Sequence, residues 1–362
     1  MTATNAILQP GSTIGILGGG QLGRMLALAA AQLGYKTHIF CPEENSPAFQ
    51  VSTHHTVAAY EDEGALKSFA KSVDIITYEF ENVPALTAAI AADHSTLAPC
   101  AKALTVAQDR LTEKNFLNEC GVKTAPYKAF DTKEELEKAL KEVGRPAVAK
   151  TRRFGYDGKG QHVIKSASDI DDAMAAMNGQ SAILEGFVAF DREISVIVAR
   201  QASGDVAAFP VSENIHTNHI LDETHIPANI KDMCEAKAKV MATRIANALD
   251  YVGVLAVEMF VSDAKDEIIV NEIAPRVHNS GHWTIEGAKT SQFEQHIRAI
   301  CGLPLGPEQA VGKVRMKNLL GTDILQYEKY LSDPTAHYHH YGKKDPKEGR
   351  KMGHVTFISY DD

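Results

Sequence analysis

The chain has 362 residues, of which 44% are hydrophobic and 23% charged, a composition typical of a globular protein with two or three domains. Its 46 Asp and Glu against 37 Lys and Arg give a formal net charge of -9, which argues against a surface that wraps a nucleic acid. The five cysteines form no Cys-x-x-Cys pair and no apolar run is long enough to cross a membrane, so we expect reduced thiols in a cytoplasmic protein without a membrane partner.

The first segment alternates strand and helix. Apolar residues predict strands over 13–17, 36–41 and 73–78, and a helix with one buried face follows the first strand and ends at Gly34. This alternation indicates a parallel sheet with both faces covered. A further helix over 104–120 is expected to close this part of the chain.

A glycine turn, Gly18-x-Gly20-x-x-Gly23, lies between the first strand and its helix. Glycines at this place let backbone N–H groups approach a phosphate or another anion at the helix N-terminus. The same motif occurs in NAD or FAD sites, where Glu43 could bind a ribose, and it also occurs as a turn without a ligand. The motif alone leaves these possibilities open.

The third strand ends in the polar run Glu79-Phe80-Glu81-Asn82. Because the carboxyl ends of parallel strands form the ligand-binding edge of such sheets, these side chains are predicted to hold an amine or ribose hydroxyl groups. The Gly20-Gln21-Leu22 turn would then hold the phosphate of the same molecule. A solvated loop is the alternative interpretation.

The middle of the chain predicts a small α+β unit. A capping box formed by Thr132 and Glu135 begins a charged helix, and strands over 147–150 and 182–185 flank a helix over 169–177. We interpret this stretch as a structural unit of its own.

The loop over 155–160 interleaves three glycines with Tyr156, Asp157 and Lys159. Such a loop between two strands can act as a flap that folds over phosphates and excludes water. Lys150, at the end of the preceding strand, would supply a fixed cation for the same phosphates. An ordinary hairpin is the alternative.

The pattern becomes antiparallel in the last third of the chain. Strands over 193–199 and 206–215 are predicted to pair, and a long helix over about 231–249 follows. Two more strands, over 255–261 and 267–273, are predicted to form a hairpin.

This hairpin brings two acidic residues together. If Val261 lies opposite Ile269, Glu258 lies directly opposite Glu272, with Cβ atoms ~5 Å apart on one face. Two like charges at this distance are unfavourable unless a cation or a shared proton lies between them. Carboxylate oxygens of this kind suit magnesium that carries nucleotide phosphates, although paired surface acids also arise by chance.

An irregular stretch follows the hairpin and concentrates Arg276, His278, Asn279, Ser280 and the single tryptophan, Trp283. A guanidinium and amide donors suit a small planar oxyanion, so this stretch predicts a site for a carboxylate-like anion. A structural loop is the alternative.

The last segment is rich in histidine and basic residues. We expect His337, His339 and His340 to lie in a surface loop, since their spacing matches no usual metal site. Lys343 and Arg350 form the one sizeable basic feature and suit a phosphate, with a solvated tail as the alternative.

The order of these motifs is similar to that of the ATP-grasp ligases, and within them it closely resembles the 5-(carboxyamino)imidazole ribonucleotide synthases of purine biosynthesis. The resemblance covers nearly the full chain. The motifs that carry it are the glycine turn, Glu79-Phe80-Glu81-Asn82, Gln108-Asp109-Arg110, Lys150, Phe154-Gly155-Tyr156-Asp157-Gly158-Lys159-Gly160-Gln161, Glu185-Gly186-Phe187-Val188, Glu258, Asn271-Glu272 and His278-Asn279-Ser280-Gly281-His282-Trp283-Thr284.

The resemblance implies an ATP-grasp fold of mixed α/β and α+β class with three domains. These would be an N-terminal Rossmann-like parallel domain at 1–110, a small α+β lid domain at 111–188 and a mainly antiparallel α+β domain at 189–362. The implied reaction converts ATP, bicarbonate and 5-aminoimidazole ribonucleotide into ADP, phosphate and the N-carboxylated ribonucleotide through carboxyphosphate. A homodimer is also a family expectation.

The resemblance further implies a role for each motif residue. Residues implied to bind ATP are Arg110, Lys150, Gly155, Tyr156, Asp157, Gly158, Lys159, Gly160, Gln161, Glu185, Gly186, Phe187, Val188, Glu193, His216, Asn271 and Glu272. The metal ion would be Mg, held by Glu258 and Glu272. Catalytic residues around bicarbonate would be Tyr156, Asp157, Arg276, His278, Asn279 and Ser280. The ribonucleotide would contact Gly20, Gln21, Leu22, Glu79, Glu81, Asn82, Lys343 and Arg350, with Lys344 as an alternative to Lys343.

Three other functions remain as rivals. A sibling ligase could activate formate or another carboxylate by the same acyl-phosphate route. An NAD-dependent oxidoreductase would explain the glycine turn but would leave the second glycine loop and the Glu258/Glu272 pair unused. A noncatalytic nucleotide-binding module would be expected to lack a metal acid or a flap glycine, and none is missing.

Overall fold

A computed structural model describes residues 7–155 and 160–360 and arranges them around three β-sheets. The first is a four-stranded parallel sheet with the order β3-β2-β1-β4. The elements of this part are β1 (Thr13–Leu17), α1 (Gln21–Gln32), β2 (Lys36–Cys41), β3 (His54–Val57), α2 (Glu63–Lys71), β4 (Ile75–Tyr78), α3 (Ala85–His94), α4 (Ala101–Ala107) and α5 (Arg110–Glu119).

The predicted parallel sheet is confirmed, and Gly34 has the expected left-handed backbone, with φ of 81°. Sequence reasoning missed β3, α2 and α3. β3 is a short edge strand with mostly exposed residues, so it carries no apolar run by which it could be recognised.

The prediction of one helix over 104–120 is wrong, because Asp109 divides this stretch into α4 and α5. Asp109 has an extended backbone, and its side chain accepts hydrogen bonds from the N–H groups of Leu111 and Thr112 at 3.0 and 3.2 Å. It is therefore the N-cap of α5 and places Arg110 in the first turn of that helix.

The second sheet is antiparallel, with the order β5-β8-β6-β7. Its elements are β5 (Tyr127–Phe130), α6 (Lys133–Val143), β6 (Ala147–Thr151), β7 (Gln161–Ile164), α7 (Ile170–Met177) and β8 (Ala182–Gly186). The predicted capping box of Thr132 and Glu135 is present at the start of α6. The two helices pack on this sheet around a core of their own, which includes Phe130, Leu136 and Leu184.

The third sheet has nine strands and follows the path β14-β13-β9-β11-β12-β15-β17-β16, with β10 as an additional partner of β9. The elements are β9 (Arg192–Arg200), β10 (Val206–Ala208), β11 (Ser212–Thr217), β12 (Ile220–Ile226), α8 (Asp232–Ala248), β13 (Gly253–Ser262), β14 (Glu267–Ala274), α9 (Thr284–Gly287), α10 (Gln292–Ile300), β15 (Lys313–Leu320), α11 (Tyr327–Leu331), β16 (Ala336–His340) and β17 (Lys351–Ser359).

Two predictions for this sheet need correction. The strand predicted over 206–215 is two strands, β10 and β11, which both pair with β9 and are separated by a stretch that contains Pro210. The surface loop predicted for His337, His339 and His340 is instead the edge strand β16, in which His339 stacks on His354 of β17 with ring centroids 4.4 Å apart.

The first and third sheets share one hydrophobic core. Ile14 and Ile16 of β1 belong to the same buried cluster as Ile197, Val254 and Trp283. The first and last parts of the chain are thereby held together, whereas the central sheet has a separate core.

The fold class predicted from the sequence is confirmed, and the domain limits 1–110, 111–188 and 189–362 stay a prediction. No helix within the described residues is long and apolar enough to cross a membrane.

A buried hydrogen bond also joins β4 to α10. Oγ1 of Thr77 lies 2.8 Å from Nε2 of His296, and Nδ1 of His296 accepts the backbone N–H of Val254 at 3.1 Å. Because Nδ1 accepts, the ring proton is on Nε2 and is donated to Thr77. Burial lowers the pKa of His296 to about 3, so the ring is neutral at pH 7.

We expect His296 to make the protein sensitive to acid. In the unfolded chain this ring binds a proton near pH 6.5, so acidification below that pH favours unfolding until the folded ring also titrates. At pH 5 this lowers the free energy of unfolding by about 2 kcal/mol. Urea denaturation at pH 7 and pH 5 measures how much free energy of unfolding is lost on acidification. This loss should be smaller in His296→Gln than in the parent protein by about 2 kcal/mol. His94→Gln, at the exposed end of α3, is the control. Equal losses in His296→Gln and the parent would contradict this account.

Candidate active site

Ion pairs connect residues of all three sheets at one place. The pairs involve Glu81, directly after β4, Glu185 on β8 and Glu272 on β14. Their basic partners come from α5, from β6 and from the segment after β14. The site is therefore assembled from elements that are far apart in the sequence.

Three cations surround the carboxylates of Glu185 and Glu272. Nη1 of Arg110 lies 2.8 Å from Oε2 of Glu272, and Nζ of Lys150 lies 3.0 Å from Oε2 of Glu185, with Lys114 at 3.4 Å from the same oxygen. Burial opposes ionisation of Glu185, but Lys150 and Lys114 outweigh it and lower its pKa to about 2. The arrangement brings together Arg110, Lys150, Glu185 and Glu272, four of the residues that the resemblance implies for ATP, and their contact with ATP stays a prediction.

Sequence reasoning missed Lys114 and Glu113. Lys114 is buried and donates to the backbone carbonyl of Asn271 at 2.7 Å, while Glu113 accepts the backbone N–H of Ile273 at 2.7 Å. Together with Arg110 and the buried Leu117 they lie at i, i+3, i+4 and i+7 on one face of α5. This spacing could have been recognised in the sequence. Leu117 is apolar and lies on the same helix face as the three charged residues, which indicates that this face packs against the protein.

Glu258 and Glu272 are directly opposite each other, as predicted, but the predicted register at the turn is wrong. Val261 pairs with Ile268 and not with Ile269. The register changes between Glu258 and Met259, where Asn271 is the additional residue of a β-bulge on β14. The bulge restores the opposition of the two acids.

Each of the two carboxylates has its own basic partner. Oε1 of Glu258 lies 3.1 Å from Nε2 of His278, and Glu272 accepts from Arg110. Burial and the charge of Glu272 raise the pKa of Glu258, whereas Arg110 overcomes burial and lowers the pKa of Glu272. A divalent cation between them would remove the repulsion that raises the pKa of Glu258, so this pair fits a magnesium ion that also binds phosphate oxygens.

The other residues that the resemblance implies for ATP lie at the end of β8, directly after it, or on β9 and β11. Phe187 is exposed and donates its backbone N–H to Pro146, while Val188 follows it and is half-buried. Oε1 of Glu185 is buried and has no hydrogen-bond donor among the described residues. Nδ1 of His216 lies 3.1 Å from Oε2 of Glu193, and this carboxylate raises the pKa of His216 against the effect of burial.

The base of the predicted flap is attached to α5. Arg152 makes bidentate hydrogen bonds to Asp109, of which the shortest is 2.8 Å, and its carbonyl accepts the N–H of Arg110 at 3.0 Å. Gly155, Gly160 and Gln161 are described, and Gly160 has a left-handed φ of 71°. The residues Tyr156, Asp157, Gly158 and Lys159 lie outside the described residues, so their predicted roles stay predictions.

The glycine turn surrounds a carboxylate of the protein itself. Glu79 accepts the N–H groups of Gly20 and Gly23 at 2.8 and 3.2 Å. A Cβ atom on Gly18 or Gly20 would approach the Glu79 side chain to 2.6 and 2.8 Å. The N–H of Gly20 is thus bonded to Glu79, and the predicted contact of the Gly20-Gln21-Leu22 turn with a ligand phosphate stays a prediction. Leu22 is a core residue, and Gln21 begins α1.

Glu81 and Arg276 form a half-buried bidentate ion pair between the first and third sheets. Nη2 of Arg276 donates to Oε1 of Glu81 at 2.8 Å, and Nε donates to Oε2. Burial opposes ionisation of Glu81, but Arg276 lowers its pKa below the usual range. The sequence assigned these two residues to different ligands, and the structure places them in contact.

His278, Asn279 and Ser280 differ in what they offer to a ligand. His278 lies between Glu258 and the hydroxyl of Ser280, with Nδ1 at 2.9 Å from Oγ. Asn279 forms a reciprocal amide pair with Asn318, at 2.9 and 3.0 Å. The amide of Asn279 is thus paired inside the protein, and its predicted place around a small anion stays a prediction.

The basic residues of the tail lie near Glu79. Nζ of Lys343 donates to the carbonyl of Lys351 at 2.8 Å, and burial and the neighbouring Arg350 lower the pKa of Lys343 to about 8. Lys344 is exposed, and its carbonyl accepts from Arg350 at 2.7 Å. Only Lys343 of the two lysines is thus directed into the protein. Asn82 lines a separate cleft of about 340 Å³ with Gln108, Arg153 and Phe154 among others.

Comparison with known families identifies three consecutive regions. A family model described as a ribonucleotide synthetase preATP-grasp domain matches residues 11–108, and one described as an ATP-grasp domain matches residues 115–293. A third, described as a phosphoribosylaminoimidazole carboxylase C-terminal domain, matches residues 315–362.

Relatives match over the full length. An N5-carboxyaminoimidazole ribonucleotide synthase of Brucella melitensis is 51% identical over 97% of this chain and 97% of its own. The crystal structure of N5-carboxyaminoimidazole synthetase from Staphylococcus aureus complexed with ADP has a TM-score of 0.93 at 37% identity, covering 98% and 95% of the two chains. The Aspergillus clavatus synthase in complex with ADP and 5-aminoimidazole ribonucleotide has a TM-score of 0.91 at 33% identity, covering 97% and 94%.

The two paired acids should respond in opposite ways to removal of their charge. Because the pKa of Glu258 is higher in the folded protein, ionisation at pH 8 destabilises the fold, and Glu258→Gln should raise the free energy of unfolding. Glu272→Gln should lower it by about 1 to 3 kcal/mol, because Arg110 loses its charged partner. The effect at Glu258 should vanish below about pH 4, where this carboxyl is protonated in both the folded and the unfolded protein. The effect at Glu272 should begin to decline there and disappear only as the pH falls through its lowered folded pKa. Urea denaturation without ligands measures this, and destabilisation by both changes at pH 8 would contradict it.

Proposed function

The chain belongs to the N5-carboxyaminoimidazole ribonucleotide synthase family, and from this premise we propose that it carboxylates 5-aminoimidazole ribonucleotide with bicarbonate and ATP in purine biosynthesis. The chain is an ATP-grasp ligase. Bicarbonate is a poor electrophile because it is an anion. Transfer of the γ-phosphoryl group of ATP to a bicarbonate oxygen gives carboxyphosphate and ADP, and attack by the exocyclic amine then releases phosphate and forms the C–N bond.

The observation that carries this proposal is the cluster of Arg110, Lys114 and Lys150 beside the Glu258/Glu272 pair. Phosphoryl transfer depends mainly on positioning and on neutralising phosphate charge. The cluster supplies the cations for a triphosphate, and the paired acids supply oxygens for a metal. The unpaired Oε1 of Glu185 supports a contact with a donor group such as the adenine amine.

We propose Glu258 and Glu272 as the residues that hold magnesium. When bound, magnesium neutralises phosphate charge and orients the γ-phosphoryl group. Arg110 then keeps Glu272 ionised, and His278 keeps its contact with Glu258. Asn271 lies at the bulge next to Glu272 and is fixed through its carbonyl by Lys114.

We propose that bicarbonate binds next to Arg276 and His278, which lie side by side at the edge of the third sheet. Arg276 is fixed by Glu81, and His278 is fixed by Ser280 and Glu258. A fixed guanidinium can neutralise the charge of a small anion without reorganisation. Burial and the charge of Arg276 lower the pKa of His278, so its imidazole is a neutral neighbour of that anion. Tyr156 and Asp157 keep their proposed place between bicarbonate and the amine.

For the ribonucleotide we propose Lys343 and Arg350 as the phosphate ligands, with Gln21, Glu79, Glu81 and Asn82 facing the rest of the molecule. The charge of Glu79 favours the protonated form of Lys343 and so acts to raise its pKa, which indicates that the two groups lie near one another. A carboxylate held by backbone N–H groups retains oxygen lone pairs for an amine or a hydroxyl. A homodimer and a cytoplasmic location are proposed from the family.

The rival functions are less well supported. An NAD-dependent oxidoreductase would place a pyrophosphate at the N-terminus of α1, where Glu79 accepts the N–H groups of Gly20 and Gly23. A ligase that activates formate would use the same phosphate cluster, and only the choice of carboxylate distinguishes it.

The direct test is ADP release with ATP, Mg, bicarbonate and aminoimidazole ribonucleotide, each omitted in turn. We expect rapid ADP release only when all four are present, together with incorporation of labelled bicarbonate into the ribonucleotide. Replacement of bicarbonate by formate in a bicarbonate-depleted buffer separates the sibling ligase. ADP release with formate and none with bicarbonate would overturn the proposal.

Lys343→Met and Lys344→Met form a matched pair for the phosphate site. Loss of a charge-assisted contact should raise the KM for the ribonucleotide by about 10- to 100-fold in Lys343→Met. In Lys344→Met, whose parent side chain is exposed, the KM should stay near that of the parent protein. The KM for ATP should change in neither variant. A large effect in Lys344→Met alone would reverse the assignment.

A further inference from the structure

Lys343 differs from the other cations of the candidate site in the way the protein holds it. The arginines and lysines around Glu185 and Glu272 each form an ion pair with a glutamate. Lys343 forms no ion pair with a carboxylate among the described residues. Its Nζ donates to the carbonyl of Lys351 at 2.8 Å and lies 5.8 Å from the ring centroid of Tyr341. A carbonyl and a ring face therefore hold this ammonium.

The charges around Lys343 favour an anionic ligand. The side chain is half-buried, and burial together with the charges of Arg350 and Lys351 lowers its pKa to about 8. Glu79 acts in the opposite direction, but it is not close enough to form an ion pair with Lys343. An ammonium that is partly removed from water and lies among other cations is stabilised by a counter-charge. A bound phosphate would supply it.

The ring of Tyr341 is fixed at both of its ends. Tyr341 directly follows β16, and its backbone N–H donates to the carbonyl of Met352 at 3.0 Å, which continues the pairing with β17. At the other end of the side chain, Oη lies 2.9 Å from Nδ1 of His354. The ring between these contacts is buried in the core that the first and third sheets share. Tyr341 therefore presents one defined ring face to Lys343.

The surroundings of His354 support a positioning role for its imidazole. His354 lies on β17 and is fully buried, its ring stacks on that of His339, and its Nε2 has no partner among the described residues. Burial lowers the pKa of His354 and raises that of Tyr341, so both groups are neutral at pH 7. A buried imidazole with one unpaired nitrogen is unfavourable, and packing alone would favour an apolar residue here. The hydrogen bond to Tyr341 specifies one arrangement, which apolar contacts do not.

We infer that Tyr341, anchored by His354, is a positioning residue that holds the ammonium of Lys343 in place for the phosphate of the ribonucleotide. The inference rests on the proposed function, in which the ribonucleotide supplies that phosphate. The face of an aromatic ring attracts an ammonium without accepting any of its three N–H groups in an ion pair. The N–H groups that do not bind Lys351 thus remain for phosphate oxygens. A carboxylate in place of the ring would compete with the ligand.

Tyr341→Phe keeps the ring and removes its anchor. Loss of this hydrogen bond should raise the Kd and the KM for the ribonucleotide by about 3- to 10-fold, with the KM for ATP unchanged. Tyr341→Leu also removes the ring face and should raise them by about 10- to 100-fold. The matched control is Tyr35→Phe, because Tyr35 is buried in the same core and its hydroxyl donates to the carbonyl of Leu8 at 2.7 Å. An effect in Tyr341→Leu no larger than in Tyr341→Phe would contradict the role of the ring face.

A double variant separates positioning from stability. Tyr341→Phe leaves Nδ1 of His354 buried and unpaired, so the midpoint of urea denaturation should fall. Tyr341→Phe/His354→Leu removes the unpaired nitrogen at a similar side-chain volume, and the midpoint should recover. The Kd for the ribonucleotide should stay raised in the double variant, because apolar contacts do not fix the direction of the ring. Recovery of the Kd together with the midpoint would show a merely structural role and would overturn the inference.

Calorimetry measures binding without any assay of activity. Aminoimidazole ribonucleotide and ribose 5-phosphate, which has the phosphate but no base, are each titrated into the protein without ATP. We expect Tyr341→Phe to weaken the binding of both ligands by a similar factor. An unchanged Kd for both ligands would overturn the inference, even if the parent protein carboxylates the ribonucleotide. Failure of the proposed function alone would appear differently, as a parent protein that releases no ADP with the ribonucleotide but binds ribose 5-phosphate more tightly than Tyr341→Phe does.

Discussion

The site depends on one constraint, which is that a charge removed from water must be paired. Arg110, Lys150 and Arg276 are each matched with a carboxylate from another part of the chain. The Arg276–Glu81 pair joins the third sheet to the first, and α5 joins the third sheet to the second through Arg110–Glu272 and Lys114–Glu185. Lys150 and Glu185 lie on neighbouring strands of the second sheet. A polar site buried in this way specifies how the surrounding elements are arranged, even where its net contribution to stability is small.

The same pairs prepare the protein for anionic ligands. A triphosphate entering beside Arg110 and Lys150 competes with Glu272 and Glu185 for cations that are already in place. Cations fixed before binding need no reorganisation when charge develops during the reaction. Arg276 donates two hydrogen bonds to Glu81 and is thereby fixed in the same way for the small anion proposed to bind beside it. Under the proposed assignment of the site, these carboxylates occupy the cations that the phosphates and the small anion would contact.

The sequence predicted the sheets, the lysine and arginine of the phosphate cluster and the Glu258/Glu272 pair. The pair was found because period-two alternation places opposite residues on one face, yet the turn register and the bulge at Asn271 were both missed, and the two errors cancelled. Lys114 was not predicted, because its place in the site depends on a contact with Asn271, 157 positions away. Local spacing identifies chemistry at neighbouring positions but not partners that only the tertiary fold brings together.

The glycine turn shows why a motif alone could not identify its ligand. The N-terminus of a helix attracts any negative charge, whether it belongs to a phosphate or to a side chain of the protein. Here Glu79, at the end of β4, reaches the N–H groups of Gly20 and Gly23, and the glycines leave room for its carboxylate. Since that carboxylate also repels phosphate, a phosphorylated ligand at this edge must be bound by separate cations. The proposed phosphate ligands, Lys343 and Arg350, are such cations, and under that proposal a sheet with a dinucleotide-binding motif uses residues from the opposite end of the chain to complete its site.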